Sequence, residues 1–154
     1  MSGIWRQASR AVELALVSVA DVPYGGAMSI PVAIADLVAA TSDYDWAYLL
    51  TVSDDERPHV VAARPAWNAE TLVMDVGRRT AANAAARTSI SLCYPPVAAG
   101  GYSLIVDGEA SVDGSTVTFA PSGAVLHRPA APDAPESVTG CVNDCAPVGA
   151  PASR

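Results

Sequence analysis

Lysine is absent from this sequence, and its nine basic residues are all arginines. Without lysine no Schiff base can form, which excludes pyridoxal-phosphate enzymes of the usual kind, and no Walker-type phosphate loop is possible. Positive charge is scarce overall, since the net charge is −7. That balance argues against a protein that binds nucleic acid by neutralising its phosphates.

Cysteine and long apolar runs are also scarce. Three cysteines, a small and odd number, do not indicate a disulfide framework. No apolar run reaches the roughly 18 residues that a membrane-spanning helix needs. We therefore expect a cytoplasmic protein without a membrane partner. Cys141 and Cys145 have no second ligand pair nearby, so two free thiols in the tail are favoured over a metal site or a reversible disulfide.

The apolar residues that are present suffice for one packed domain, because 51% of the 154 residues are hydrophobic and only 16% are charged. We expect that domain at residues 28–129. Residues 1–27 form a separate extension with helical spacing. A signal peptide is an alternative there, although Glu13 interrupts the apolar stretch, and a start at Met28 is another. Residues 130–154 are a Pro/Ala-rich tail.

The central domain has the pattern of short strands joined by tight turns, with about seven strands in all. Gly108 indicates a bulge, and Asp113-Gly114 indicates a hairpin. Helices are expected from Pro31 to Ala40 and from Ala81 to Arg87, the second inserted between two strands. This spacing favours a mainly β protein, a small antiparallel, Greek-key-like barrel with one inserted helix, over a parallel βαβ sheet. The expected strands are 46–52, 58–64, 70–76, 88–94, 102–112, 115–120 and 123–127.

The clearest chemical signal is a strand end, a glycine turn and a helix start between Asp75 and Arg87. Unpaired N–H groups and the positive end of the helix dipole meet at a helix start, and arginine adds planar donors that fit phosphate. We predict that Arg78, Arg79 and Thr80 bind a phosphate, with Thr80 as a ligand, as the helix N-cap, or as both. Asn83 lies on the same helix face as Arg79 and is a further candidate.

The order of these elements resembles the flavin-binding split-barrel proteins related to pyridoxamine 5′-phosphate oxidase, and in particular a mostly actinobacterial subgroup. The resemblance implies a homodimer that holds a cofactor in a groove between its subunits, with the cofactor phosphate at the strand-to-helix turn. FMN is the cofactor it implies first; a deazaflavin coenzyme is the alternative, and some members bind haem. The segments that carry the resemblance are 47–59, 76–83, 101–110, 124–129 and 140–145.

Three further residues are candidates for the cofactor groove. His59, at the start of a strand, is a barrel-rim histidine or a cofactor contact. Arg64 shares a strand face with two apolar residues, so we expect it toward the core or a dimer groove, paired with a cofactor phosphate or with an aspartate of the other subunit. Trp67 is a candidate wall for a flavin ring, whereas Trp46 is better suited to core packing.

The sequence departs from the oxidase that gives the family its name. That enzyme ends in a basic, histidine-containing segment, whereas His127-Arg128 is followed here by an acidic, proline-rich tail. Oxidation of the vitamin is therefore not expected. The leading hypothesis is a flavin-dependent oxidoreductase that acts on a small molecule; the alternatives are a deazaflavin-dependent reductase, a non-catalytic cofactor carrier, and a barrel that serves only as a dimer scaffold.

Overall fold

The computed structural model describes residues 29–129, which form an antiparallel sheet of eight strands with two helices. A single 3-10 turn, Ile34–Asp36, precedes the first helix. The helices are α1, Leu37–Thr41, and α2, Arg78–Ala86. The strands are β1 Ser29–Pro31, β2 Ala47–Val52, β3 Pro58–Ala63, β4 Ala66–Asn68, β5 Thr71–Asp75, β6 Ser89–Tyr94, β7 Ser103–Asp113 and β8 Thr116–His127.

The sheet curls into a barrel that is open along one side. The strands pair in the order β3-β2-β6-β7-β8-β5-β4, and β1 pairs with β8. Within residues 29–129, β3 pairs only with β2, so the barrel is split between β3 and the β4–β5 hairpin. The mainly β class and the split antiparallel barrel expected from the sequence are confirmed.

The core follows from the two-residue period of the strands. In β2 the buried residues alternate with more exposed ones, and Leu49 lies opposite Leu92 of β6, which in turn lies opposite Val106 of β7. All three side chains are completely buried, as is Phe119 of β8. Burying one such side chain stabilises the fold by about 1.5–3 kcal/mol.

The bulge expected at Gly108 is confirmed, because the β7–β8 register shifts between Asp107 and Gly108. A Cβ atom at Gly108 would lie 2.7 Å from the Phe119 ring and would also clash with the Ala120 carbonyl oxygen. Only glycine lets the two backbones approach so closely. The expected hairpin is confirmed too, since Asp113 pairs with Thr116 around Gly114, which has a φ of 61°.

Several boundaries differ from the expected ones. The helix expected from Pro31 is wrong at its start, because Ser29–Pro31 is a strand and the helical turns begin at Ile34. The two last strands are one, β8, which continues through Pro121 because a proline is tolerated beside a bulge. α2 begins at Arg78 rather than at Ala81.

The segments expected at residues 1–27 and 130–154, with the two tail cysteines, lie outside the described residues. Within residues 29–129, no helix is long and apolar enough to cross a membrane.

Candidate functional site

The N-terminus of α2 follows β5 almost directly. The N-cap is Gly77, in an extended conformation with φ −68° and ψ 156°, and no side chain caps the helix. The first backbone bond inside α2 runs from the Ala81 N–H to the Gly77 carbonyl, at 3.0 Å. The N–H groups of residues 78–80 therefore have no acceptor within the helix, and they sit at the positive end of its dipole.

Arg78 and Arg79 occupy the first turn of α2, and both are exposed. Two cations at the positive end of a helix repel that end, and an anion there would relieve the repulsion. Arg79 also acts on the neighbouring loop: a hydrogen bond from Ser53 is the main cause that lowers the pKa of Asp55, and Arg79 adds a smaller electrostatic effect in the same direction. The paired arginines are thus placed at the helix start as the sequence predicted.

Thr80 is buried and takes the third position of α2, so the expectation that it serves as the N-cap is wrong. The cap is Gly77 because the helix begins earlier than its alanine-rich part suggested. The Thr80 hydroxyl lies 3.2 Å from His59 Nε2 instead. This bond joins the start of β3 to the first turn of α2.

Asn83 belongs to the same buried polar cluster. Its amide donates a hydrogen bond to Thr51 Oγ1 at 3.3 Å, and the Thr51 hydroxyl donates to the His59 carbonyl at 3.4 Å. The structure therefore brings together three predicted residues, His59, Thr80 and Asn83, around Thr51. Sequence reasoning missed Thr51, although its place on the inward-facing side of β2, in step with Ala47 and Leu49, was a usable signal.

A cavity of about 320 Å³ opens beside this cluster, in the split between β3 and β5. Val61 and Ala62 line it from β3, and Asp75, Gly77 and Thr80 line it from β5 and α2. Among residues 29–129, and apart from Gly77 and its two chain neighbours, no atom lies within 4 Å of the place where a Cβ on Gly77 would be, so these residues leave the space beside the helix start open. The mouth of α2 thus faces a space that can hold a ligand.

A second cavity, of about 630 Å³, continues along the split and shares Ala62 and Asp75 with the first. We call the two together the split groove. Arg64 lines its second part. The Asp75 carboxylate is exposed and accepts a hydrogen bond from the Thr116 hydroxyl at 2.8 Å.

Arg64 is exposed, so the alternative that it points into the core is wrong. The reason is the register of β3. Ala63, which lies opposite the buried Ala47, is the inward residue, while Val60, Ala62 and Arg64 are exposed. The alternative that Arg64 faces a groove remains a prediction.

Trp67 lies away from the mouth of α2. It is half-buried against the core, and its indole N–H donates to Thr41 Oγ1 at 2.8 Å. It lines a third cavity, which shares Trp46 with the second part of the split groove. Trp46 was expected to pack in the core. It is only partly buried, and it also borders both the second and the third cavity.

The sequence matches no protein-family model. An uncharacterized protein of Mycobacterium bovis and one of Mycobacterium tuberculosis are each 41% identical to it in an alignment 126 positions long, and each match covers 71% of this chain and 89% of the relative. The chain belongs to the same family as these two mycobacterial proteins. Both come from actinobacteria, as the resemblance implied.

The split-barrel fold is also found in a solved structure, a candidate pyridoxamine 5′-phosphate oxidase from Listeria innocua. It is 13% identical, its TM-score is 0.52, and the match covers 60% of this chain and 96% of that one. A weaker likeness, with a TM-score of 0.49 and 16% identity, links the chain to an FAD-binding protein of Mycobacterium smegmatis over 65% of this chain and 99% of that one. That second likeness is too distant to bear on the ligand. The family resemblance expected from the sequence is thus confirmed at the level of the split-barrel fold.

Proposed function

We propose that this protein is a flavin-dependent oxidoreductase that binds FMN in the split groove, with the FMN phosphate at the N-terminus of α2. The observation that carries the proposal is the open mouth of α2 in a split-barrel fold: three N–H groups without helical acceptors lie beside a cavity lined by Gly77 and Thr80, and the first turn of the helix also carries two exposed arginines. Helix starts of this kind are established anion sites, and arginine suits phosphate.

The residues that line the split groove are suited to bind FMN. The two parts of the groove, about 320 and 630 Å³, fall within the usual size of ligand sites. Gly77 leaves the approach to the helix start free of side chains. The Asp75 carboxylate would disfavour a phosphate close to it, because both carry negative charge. It is suited, however, to accept hydrogen bonds from the hydroxyl groups of a ribityl chain farther along the groove.

In this proposal the flavin and the protein have different roles. A bound flavin would supply hydride transfer. The N–H groups of α2, together with Arg78 and Arg79, would neutralise and anchor the phosphate. His59 holds the Thr80 hydroxyl in place through the hydrogen bond between Nε2 and Oγ1. Val61 and Ala62 would keep water from one wall of the groove, which strengthens the electrostatic contacts inside it.

A homodimer is part of the proposal, because the outer face of β2 and β3 is apolar and exposed. Tyr48, Val52 and Val60 are 41%, 36% and 49% exposed, and Tyr48 lies opposite Ala62, which lines the split groove. A second subunit that covers this face would border the groove. We also propose a cytoplasmic location. Cys93 is a free, half-buried thiol, and free thiols are typical of proteins in a reducing compartment.

The alternative occupant of the split groove is a deazaflavin coenzyme, since an anchor for phosphate does not select the ring. A non-catalytic carrier would use the same contacts. Turnover with reduced nicotinamide or reduced deazaflavin and a panel of acceptors separates an enzyme from a carrier, because a carrier binds the cofactor without accelerating its oxidation.

Flavin binding tests the phosphate anchor directly. We expect FMN to bind about 100-fold more tightly than riboflavin, which has the same ring without the phosphate, because charge-assisted hydrogen bonds are lost with the phosphate. In Arg78→Ala/Arg79→Ala that preference should shrink to about fivefold or less, while riboflavin binds as before. Quenching of flavin fluorescence measures both affinities.

The matched control is Arg57→Ala/Arg87→Ala, which removes the same charge from two arginines that pair with exposed aspartates. It should keep the preference for FMN. Equal affinity for FMN and riboflavin in the unaltered protein contradicts the anchor. If neither flavin nor deazaflavin binds, the cofactor proposal is wrong.

A further inference from the structure

The third cavity, of about 310 Å³, is lined by four aromatic residues that come from three separate segments of the chain. Tyr44 and Trp46 directly precede β2, Trp67 belongs to β4, and Tyr94 ends β6. α1 closes another side, with Val38, Thr41 and Ser42. We call this the aromatic cavity. It does not include the residues at the mouth of α2.

The rings around the aromatic cavity are held in place. The Trp67 indole N–H donates to Thr41 Oγ1 at 2.8 Å, and the Tyr44 hydroxyl donates to the Tyr102 carbonyl at 3.2 Å. The rings of Tyr44 and Tyr94 pack with their centres 5.4 Å apart. Because these contacts fix the rings before any ligand arrives, little side-chain entropy is left to lose on binding.

The charge at this cavity points to the kind of ligand. Asp45 contributes a carboxylate to the lining, and none of the described lining residues is cationic. Tyr94 is only 3% exposed, so its ring forms a fixed part of the cavity wall.

We propose that the aromatic cavity binds a small organic cation, such as a quaternary or protonated amine. The faces of tryptophan and tyrosine rings attract cations, and several rings around one space form the arrangement that recognises quaternary ammonium groups. Asp45 adds a charge of the opposite sign. The proposal goes beyond the flavin function and does not depend on it, since the two sites have separate linings apart from Trp46 at the border of the split groove.

The test compares choline with 3,3-dimethyl-1-butanol, which has the same shape but carries a neutral carbon in place of the charged nitrogen. Each probe has one intense methyl signal, so ligand-observed NMR on the full-length protein measures both affinities. We expect choline to bind about tenfold more tightly than the neutral probe. Equal or tighter binding of the neutral probe, or no binding of choline, overturns the proposal.

Two variants separate the contribution of the rings from that of the carboxylate. Trp46→Leu keeps the cavity apolar but removes one aromatic face, so it should weaken choline about three- to tenfold and leave the neutral probe nearly unchanged. Asp45→Asn should weaken choline about threefold or more. Asp43→Asn removes the same charge two positions away, outside the cavity lining, and should change the affinity less than twofold.

The choline experiment does not depend on whether the protein binds flavin. Thermal unfolding confirms that each variant is folded, and the choline titration is run without added flavin. Choline affinity that is the same in Asp45→Asn and Trp46→Leu as in the unaltered protein means that the cation binds elsewhere, which contradicts the assignment. Weaker choline binding in these two variants, with FMN binding unchanged in Asp45→Asn, supports it.

Discussion

His59 Nε2 lies 3.2 Å from Thr80 Oγ1, so the first turn of α2 is fastened to the edge strand β3 by one side-chain hydrogen bond. The two residues are 21 positions apart in the chain. This bond fixes the distance between the start of α2, which carries the arginines, and β3, which lines the split groove.

Breaking this bond should loosen the site more than the fold. We expect His59→Ala and Thr80→Val each to lower the free energy of unfolding by about 1 kcal/mol and to weaken FMN binding about five- to tenfold. In the double variant the losses should fall short of the sum by about 0.5–1.5 kcal/mol, since the second change has no bond left to break. Denaturant unfolding and flavin titration measure the cycle, and fully additive losses contradict the coupling.

Gly108 should be the least tolerant of the glycines in β7 and β8. Gly108→Ala places a methyl group 2.7 Å from the Phe119 ring and against a backbone carbonyl, and we expect it to lower the unfolding free energy by about 2–3 kcal/mol. Gly123→Ala is the matched control on the partner strand. In the described part of the chain, no atom beyond its two neighbours lies within 4 Å of its added Cβ, so it should change stability by less than about 0.5 kcal/mol. Equal effects in urea unfolding would show that the bulge does not need glycine.

Alkaline pH should destabilise the fold through Tyr94. Burial raises its pKa from the ordinary 10.0 to about 12. Below pH 10 the phenol is neutral in both states and the stability is complete; as pH rises toward 12 the unfolded chain ionises first, and stability falls by roughly 2–3 kcal/mol. The chain has no lysine, so no amine side chain titrates in this range.

Tyr94→Phe should remove most of that alkaline slope. Near neutral pH it should be within about 1 kcal/mol of the unaltered protein, because the hydroxyl that it removes has no hydrogen-bond partner in residues 29–129. Urea unfolding at a series of pH values gives the slope. A slope that persists in Tyr94→Phe assigns the effect to another group, for which Tyr44 is the candidate, since burial raises its pKa as well.

A charge on the outer face of β3 should prevent dimer formation. Val60→Asp puts a carboxylate at the centre of the exposed apolar face, and burying it between subunits is costly. We expect sedimentation to show a dimer for the unaltered protein and a monomer for this variant. Val97→Asp changes a loop residue that is 72% exposed and should remain a dimer. A Val60→Asp variant that still dimerises places the interface on another surface.

The sequence predicts the barrel well where a strand has one apolar face. β2, β6 and β7 alternate between buried and exposed residues, and their bounds lie within a residue or so of the expected ones. β1 and β4, with three residues each, are too short for any periodicity and were missed. β3 is apolar on both faces, so the sequence left Arg64 between the core and a groove, and only the core alternative is wrong.

The candidate site likewise has a part that the local sequence predicts and a part that only the packing reveals. Arg78, Arg79 and Thr80 are consecutive, and a glycine followed by a helix start identifies them from local sequence alone. The contacts of His59 and Asn83 with Thr80 and Thr51 join three elements and follow only from how α2 packs on the sheet. The aromatic cavity has no sequence signature for the same reason, because its four rings come from three separate segments.

The free edge of β3 has a consequence for dynamics. A strand that is paired on one side only, as β3 is within residues 29–129, opens more readily than a central strand, and its N–H groups should exchange with solvent hydrogen early. One wall of the groove is therefore built on a strand that the fold constrains less than its central strands. Occupation of the groove, or cover by a second subunit, should register first as slower exchange at residues 58–63.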